Sequence, residues 1–240
     1  MNLDDKERRG WIVLVGSAAA GTVLVGCRRE KPAAADREEE EGKEKGLEVT
    51  PTEDLMREHG LLNRVLLIYD ECGQRIERRA EFNPESLGRT AKIIRTFVEE
   101  YHEKLEEDHL FPRFEKAHKL EDLVATLRAQ HLAGRKLTAQ IEALATGAAL
   151  KNAGDRRKLA AALAGFVRMY RPHEAREDTI LFPAVREIVS PNEYGALGEQ
   201  FEDMEHKRFG EEGFEKNVDS VAGIEKELGI YELAQFTPSA

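Results

Sequence analysis

Two short stretches of this sequence repeat the same metal-binding side chains at the same spacing. His102 is followed by Glu106 and then by Leu-Phe-Pro, and His173 is followed by Glu177 and then by Leu-Phe-Pro. Side chains four residues apart lie on the same face of a helix, so each copy presents an imidazole and a carboxylate together. Such a pair can bind one metal ion, and the matching copies indicate an internal repeat.

A single histidine precedes each copy at nearly the same distance. His59 lies 43 residues before His102, and His131 lies 42 residues before His173. Two such units predict four helices that direct four imidazoles and two carboxylates into one core. Burying these groups is costly unless they are satisfied, and a pair of metal ions is a common partner for such a set. The predicted metal ligands are His59, His102, Glu106, His131, His173 and Glu177.

These motifs resemble those of the hemerythrin-like family, whose HHE cation-binding domains hold a non-haem diiron centre. The resemblance covers about residues 51–189. It implies two Fe ions, each held by two His and bridged by both Glu, within an up-and-down four-helix bundle. That ligand set leaves exchangeable positions on both ions, so the resemblance also implies binding of a small ligand such as O₂, NO or peroxide.

Three positions bear on this ligand set. Asp178 stands one residue after Glu177, at the spacing that oxygen carriers of the family use, whereas the repeat favours Glu177. The carriers have two His four apart in the third helix, but here the second position is Arg135, whose guanidinium stays protonated and does not bind metal. His109 has Ile180 as its counterpart in the second copy, so we expect His109 to pack beside the site rather than bind metal.

The sequence leaves the choice between binding and catalysis open, because both need the same ligands. One hypothesis is a protein that captures or senses O₂ or NO. The alternative is a diiron redox enzyme, or a protein that repairs or supplies iron centres, and Arg135 in place of a fifth His favours this alternative. A ferritin-like site would need Glu-x-x-His on two helices, and the sequence supplies it only at Glu99–His102. No redox partner is indicated.

Helical periodicity begins at Pro51 and places His59 on the same face as its apolar neighbours. We expect the first helix to end at Gly73. Asn83-Pro84-Glu85 predicts the start of a second helix that ends near Ala117. The third helix is predicted at about 121–145. A loop at 147–154 should precede the fourth.

Two further features are expected near the end of the predicted bundle, which covers residues 51–189. Pro172 should distort the fourth helix beside His173. Ser190-Pro191 predicts the start of an accessory helix. Residues 190–240 are therefore assigned to one or two accessory helices and a tail.

The N-terminal residues predict export and attachment to a membrane. Residues 1–26 resemble an export signal segment, with charged residues before an apolar run. The run ends Leu-Val-Gly-Cys, similar to a bacterial lipobox, so Cys27 is predicted to carry a lipid; the alternative is an uncleaved anchor. Arg8-Arg9 resembles a twin-arginine signal. Residues 27–50 predict a disordered acidic tether. The predicted product is a membrane-anchored lipoprotein facing the periplasm or the cell exterior.

Composition fits an all-α protein with one main domain. The chain has 240 residues, of which 41% are hydrophobic, and few runs alternate in the manner of a β-strand. Its net charge is −10, and no Lys/Arg cluster is interleaved with aromatic residues, so nucleic acid is not an expected partner.

Overall fold

The computed structural model describes residues 49–238, and this part of the chain is all-α, with no strand. A short 3₁₀ turn, Leu233–Phe236, follows the last of its seven helices. We number these helices α1 (Pro51–Arg78), α2 (84–117), α3 (Glu121–Leu144), α4 (Gly147–Lys151), α5 (153–188), α6 (Pro191–Phe209) and α7 (Gly213–Leu228).

The predicted export segment, Cys27 and nearly all of the predicted tether lie outside the described residues. Within residues 49–238, no helix combines the length and apolar character needed to cross a membrane. The predicted attachment to a membrane therefore stays a prediction.

Helices α2 and α5 alternate between ordinary α-helical turns and wider π-helical turns. The segments of α2 are Pro84–Ile93 (α), Ile94–His102 (π), Glu103–Leu105 (α), Glu106–Leu110 (π) and Phe111–Ala117 (α). Those of α5 are Ala153–Arg176 (α), Glu177–Leu181 (π) and Phe182–Ile188 (α). Each of the two short π segments begins at a predicted ligand glutamate, so the repeat extends to the backbone conformation.

Pro112 and Pro183 give a physical reason for the two short π segments. A proline inside a helix has no N–H, and its ring clashes with the carbonyl four residues earlier. The helix widens here, because the N–H of the residue before each proline bonds the carbonyl five residues earlier, that of Glu106 or Glu177. The sequence offers no such proline to explain the longer π segment Ile94–His102.

Four long helices surround the main core. Helix α1 contacts α2 and α5, and α3 also contacts α2 and α5. Helices α6 and α7 pack against α1 and against each other, and α7 also contacts α2. Burial of large side chains from the four long helices stabilises this arrangement. Fully buried rings include those of Tyr69, Phe97, Phe111, Phe166 and Phe182.

Side-chain caps start three helices at the predicted positions. Thr50 forms a capping box with Glu53 at α1, Asn83 caps α2, and Ser190 caps α6. Gly210, with φ of 83°, follows the last residue of α6.

The prediction that α1 ends at Gly73 was wrong, because the helix continues to Arg78. Ile76 is buried one turn beyond Gly73 and extends the apolar face of α1. Burial of such a side chain contributes about 1.5–3 kcal/mol, which exceeds the helix penalty of about 1 kcal/mol for one glycine.

The prediction of a loop before α5 was also wrong. Residues 147–154 are not a single loop, because Thr146 caps the short helix α4 and Asn152 caps α5. Pro172, predicted to distort the fourth helix, lies inside α5, whose α-helical turns continue to Arg176. Pro172 lies on the exposed face, where water can bond the carbonyl that the proline leaves free.

Candidate metal centre

The six predicted ligands lie together in the core formed by the four long helices, and all six are buried. Helix α1 contributes one His, α2 one His and one Glu, α3 one His, and α5 one His and one Glu. In chain order these residues are His59, His102, Glu106, His131, His173 and Glu177.

The four imidazoles form two pairs, and each pair comes from one repeat unit. The Nε2 atoms of His59 and His102 are 3.0 Å apart, and those of His131 and His173 are 3.3 Å apart. We call the first pair the first position and the second pair the second position. Two nitrogen ligands bound to one metal ion at about 2.1 Å lie about 3 Å apart when the bonds are at right angles, so each spacing suits one ion.

Each buried glutamate contacts one imidazole of each pair. Oε1 of Glu106 lies 3.7 Å from Nε2 of His102, and its Oε2 lies 3.4 Å from Nε2 of His131. Oε2 of Glu177 lies 3.1 Å from Nε2 of His173 and 3.5 Å from Nε2 of His59. Both carboxylates therefore lie between the two positions, as bridging ligands would.

The outward nitrogen of every histidine faces an oxygen acceptor. Nδ1 of His59 is 2.7 Å from Asp178 Oδ1, and Nδ1 of His131 is 3.1 Å from Glu107 Oε1. The acid that follows the buried glutamate of one unit thus bonds the upstream histidine of the other unit. Such acceptors fix the ring orientation and the tautomer of a metal-binding histidine.

The other two histidines find their acceptors within their own units. Nδ1 of His102 is 2.6 Å from Oε2 of Glu58, and Nδ1 of His173 is 2.9 Å from Oε1 of Gln130. Each acceptor stands directly before the upstream histidine of its unit. The four contacts therefore follow the internal repeat, since equivalent histidines bond residues at equivalent positions.

These contacts direct the Nε2 lone pairs toward each other. An oxygen acceptor at each Nδ1 favours the tautomer with its proton on Nδ1, which leaves Nε2 as an acceptor when the imidazole is neutral. Burial and the neighbouring histidines hold the pKa of His102 well below its usual range, so this imidazole is neutral at pH 7. Two lone pairs facing each other at 3.0 Å repel unless a metal ion or a proton lies between them.

Within the described part of the chain, the buried carboxylates of Glu106 and Glu177 also lack partners that would satisfy their oxygens. Neither oxygen of Glu106 or Glu177 has a hydrogen-bond partner among residues 49–238. Burial and the nearby Glu177 raise the pKa of Glu106 well above its usual range, which reflects the cost of holding this charge in the core without a partner. Unsatisfied carboxylate oxygens beside imidazole lone pairs form a suitable donor set for a pair of transition-metal ions.

Arg135 stands at the position where oxygen carriers of the resembled family have an additional histidine, and here it bonds two acids. It bonds Oε2 of Glu103 and Oε1 of Glu107, each at 2.7 Å. The hydrogen bonds from His131, Lys104 and Arg135 outweigh partial burial and lower the pKa of Glu107. Arg135 therefore neutralises the acid that orients His131.

Gly134 allows a close approach that holds Glu103 in place. Oη of Tyr170 donates a hydrogen bond of 2.7 Å to Oε1 of Glu103. A Cβ atom at position 134 would lie 2.1 Å from that Oη atom. Only glycine leaves room for the tyrosine at this point.

The Leu-Phe-Pro motifs place aromatic rings on the upstream histidines. Phe182 stacks on His59 with a centroid distance of 5.4 Å, and Phe111 stacks on His131 at 5.6 Å. Each phenylalanine thus packs on a histidine of the other unit, which closes one side of each imidazole to water.

Neighbouring residues singled out in the sequence have clear locations. Asp178 contacts His59 from outside, while Glu177 lies between the positions. His109 packs against Phe201 and is not among the grouped donors. Sequence reasoning missed Glu58, Gln130 and Glu107 as acceptors, although comparing the residues beside each ligand in the two copies would have indicated them.

The all-α fold and the buried His/Glu cluster define a cation-binding helical protein. The family model described as "Hemerythrin HHE cation binding domain" matches residues 50–185 and 124–211. This chain belongs to the hemerythrin HHE cation-binding domain family.

Relatives in two mycobacteria match nearly the whole chain. Uncharacterized protein Rv1995 of Mycobacterium tuberculosis and Uncharacterized protein Mb2018 of Mycobacterium bovis are each 46% identical over 232 residues. The match covers 97% of this chain and 91% of each relative. No solved structure matches the chain.

Proposed function

We propose that this protein is a non-haem diiron protein that binds small ligands such as O₂, NO or peroxide. Helices α1, α2, α3 and α5 would form the up-and-down four-helix bundle, with α6 and α7 as accessory helices. The two Fe ions would be held by His59 and His102 at the first position, by His131 and His173 at the second, and by Glu106 and Glu177 between them.

The observation that carries this proposal is the inward geometry of the donors. Four imidazoles point their Nε2 atoms at one another in two pairs, and four carboxylate oxygens between them lack hydrogen-bond partners in residues 49–238. Bound iron would supply reversible electron transfer and open coordination positions. The chain would orient the imidazoles through their Nδ1 atoms and exclude water with the stacked phenylalanines.

An anaerobic optical titration of the reduced, iron-loaded protein tests this proposal. We expect two irons per chain by elemental analysis, and an absorption band that forms when O₂ or NO is added and disappears when the gas is removed. A double variant, Glu106→Ala with Glu177→Ala, is the control and should lack the band. Rapid irreversible oxidation would favour the alternative, a redox enzyme or an iron-repair protein. Fewer than two irons in the unaltered protein would contradict the binuclear site.

We also propose that the protein is exported and tethered to a membrane by lipid on Cys27. The apolar run that ends in Leu-Val-Gly-Cys supports this proposal. Detergent phase partition compares the unaltered protein with Cys27→Ser. We expect the unaltered protein in the detergent phase and the variant in the aqueous phase, whereas equal partition would contradict lipid attachment.

A further inference from the structure

We infer that the two metal positions are unequal, and that the first position, His59 with His102, binds a divalent cation more tightly than the second, His131 with His173. This inference rests on the proposed binuclear site. The two imidazole pairs have similar Nε2 spacings, 3.0 Å and 3.3 Å, and we attribute the difference in affinity to the charges of the residues around them. Those residues differ in charge at two pairs of equivalent positions.

The first difference lies at the acceptors of the downstream histidines. His102 donates to the carboxylate of Glu58, whereas His173 donates to the neutral amide of Gln130. Glu58 and Gln130 stand at equivalent places, each directly before the upstream histidine of its unit. Glu58 is almost fully buried. A carboxylate beside the imidazole raises its basicity and attracts a cation across the ring, and an amide does so much less.

The second difference lies one helical turn after each upstream histidine. Asn63 follows His59 by four residues and donates to Oε2 of Glu174 at 2.5 Å. Arg135 follows His131 by four residues and bonds the equivalent acid, Glu103. The acid near the first position thus has a neutral partner, while the acid near the second position is neutralised by a guanidinium.

Further positive charges near the second position also weaken the attraction for a metal cation there. Arg135 and Lys104 both bond Glu107, the acceptor of His131. Arg128 donates to the main-chain carbonyl of Glu107 at 3.2 Å and lies over the ring of Phe111. Three cations therefore bond Glu107, the acid that orients His131 from outside.

Around the first position, carboxylates predominate. Carboxylate oxygens of Asp54, Glu58 and Glu205 lie within 4.8 Å of one another. Arg57 pairs with Asp54 at 3.1 Å and neutralises part of this group. Asp178, the acceptor of His59, has an ion pair with that histidine alone in residues 49–238. A buried carboxylate near an ion is weakly screened and attracts the ion when it is ionised, so these differences favour a cation at the first position.

Single-position variants measure the inequality directly. Stepwise affinities of the unaltered protein do not, because two identical positions would also fill in separable steps when the first ion repels the second. The double variant His131→Ala/His173→Ala retains only the first position, and His59→Ala/His102→Ala retains only the second. Isothermal titration calorimetry with Co²⁺ should give a dissociation constant at least tenfold lower for the chain that retains the first position.

Exchanging the two acceptors, Glu58 and Gln130, tests whether they cause the difference in affinity. In the chain that retains only the first position, Glu58→Gln should weaken Co²⁺ binding about tenfold or more. In the chain that retains only the second, Gln130→Glu should strengthen it. The same two substitutions in the chain with all six ligands should weaken the tighter binding step and strengthen the weaker step, which tests the inference even if the histidine variants unfold. Circular dichroism of each variant checks its folding.

The outcomes separate the inference from the proposed function. If the unaltered chain takes up no Co²⁺, the binuclear function fails and the inference fails with it. If the unaltered chain binds two Co²⁺ but the single-position chains bind equally or in the reverse order, the inference alone is overturned. Unchanged affinities in Glu58→Gln and Gln130→Glu would also overturn it.

Discussion

Oδ1 of Asp178 lies 2.7 Å from Nδ1 of His59, although the two residues are 119 positions apart. This contact separates the roles of two adjacent acids. Glu177 lies between the imidazole pairs, whereas Asp178 bonds the outer nitrogen of one imidazole.

The two acids should therefore respond differently to removal. Glu177→Ala should leave fewer than two irons per chain, because a ligand shared by both positions is lost. Asp178→Ala should retain two irons but weaken their binding about 10–100-fold, as for other groups that orient a ligand histidine. Elemental analysis and competition with a chelator measure both effects, and His109→Ala is the control that should change neither. Two irons in Glu177→Ala with loss in Asp178→Ala would assign the bridge to Asp178.

The proline that follows the second buried glutamate should control metal affinity. Pro183→Ala restores an N–H donor and removes the clash with the carbonyl four residues earlier, so the wide turn at Glu177–Leu181 can relax toward an α-helix. The carboxylate of Glu177 would then move away from its position between the imidazoles. We expect Co²⁺ affinity to fall about tenfold or more.

Pro191 supplies the control for this experiment, because it stands at the start of α6, where a proline costs no hydrogen bond. Pro191→Ala should leave Co²⁺ affinity unchanged. Equal effects of the two substitutions would show that the wide turn does not position Glu177.

Gly134 should be intolerant of a larger side chain. In Gly134→Ala the new Cβ would meet Oη of Tyr170, and displacement of this buried ring should lower the free energy of unfolding by about 1–3 kcal/mol. Gly73→Ala is a matched control, because Gly73 also lies inside a long helix but has open space around it. That substitution should raise the free energy of unfolding by about 0.5–1 kcal/mol. Urea unfolding compares the two, and similar effects would contradict the role of the close contact.

Cys72 should be unreactive in the folded protein. It is a free cysteine that lies fully buried in α1, and burial raises the pKa of its thiol to about 12. In the Cys27→Ser variant, which leaves one thiol, reaction with a disulfide reagent at pH 8.5 should be at least about 100-fold slower than in denaturant, because only the thiolate reacts. Similar rates in both conditions would show that Cys72 is accessible.

The raised pKa of Cys72 also predicts that the free energy of unfolding falls at alkaline pH. In the unfolded chain the Cys72 thiol loses its proton near its ordinary pKa, whereas in the folded chain it keeps the proton up to pH of about 12. Stability from this residue is therefore complete below the ordinary pKa and falls as pH rises toward 12. Unfolding of Cys27→Ser with Cys72→Ala in addition should show a weaker decline over this range.

The sequence predicted which residues would lie together because their spacing repeats. Matching His102 with His173 and Glu106 with Glu177 required only the helical period and the offset between copies. The structure brings these residues into one cluster, as the repeat predicts. The start of α2 at Pro84 and that of α6 at Pro191 were also predicted, since capping depends on neighbouring residues alone.

Features that depend on distant contacts could not be predicted in the same way. The continuation of α1 past Gly73 depends on burial of Ile76 against other helices. The bond between His59 and Asp178 joins residues in α1 and α5, and the sequence does not show which histidine Asp178 contacts. The difference in charge between Asn63 and Arg135 matters only when the two repeat units are superposed.

The exchange of acceptors between repeat units means that neither half of the chain is self-sufficient. His59 depends on Asp178, and His131 depends on Glu107, each from the other half. A two-helix fragment cut between α2 and α3 would contain one imidazole pair but would lack an acceptor for its upstream ring. Two such fragments could complete one another only by associating. The two halves of the chain therefore depend on each other as the subunits of a dimer do, although a covalent link joins them.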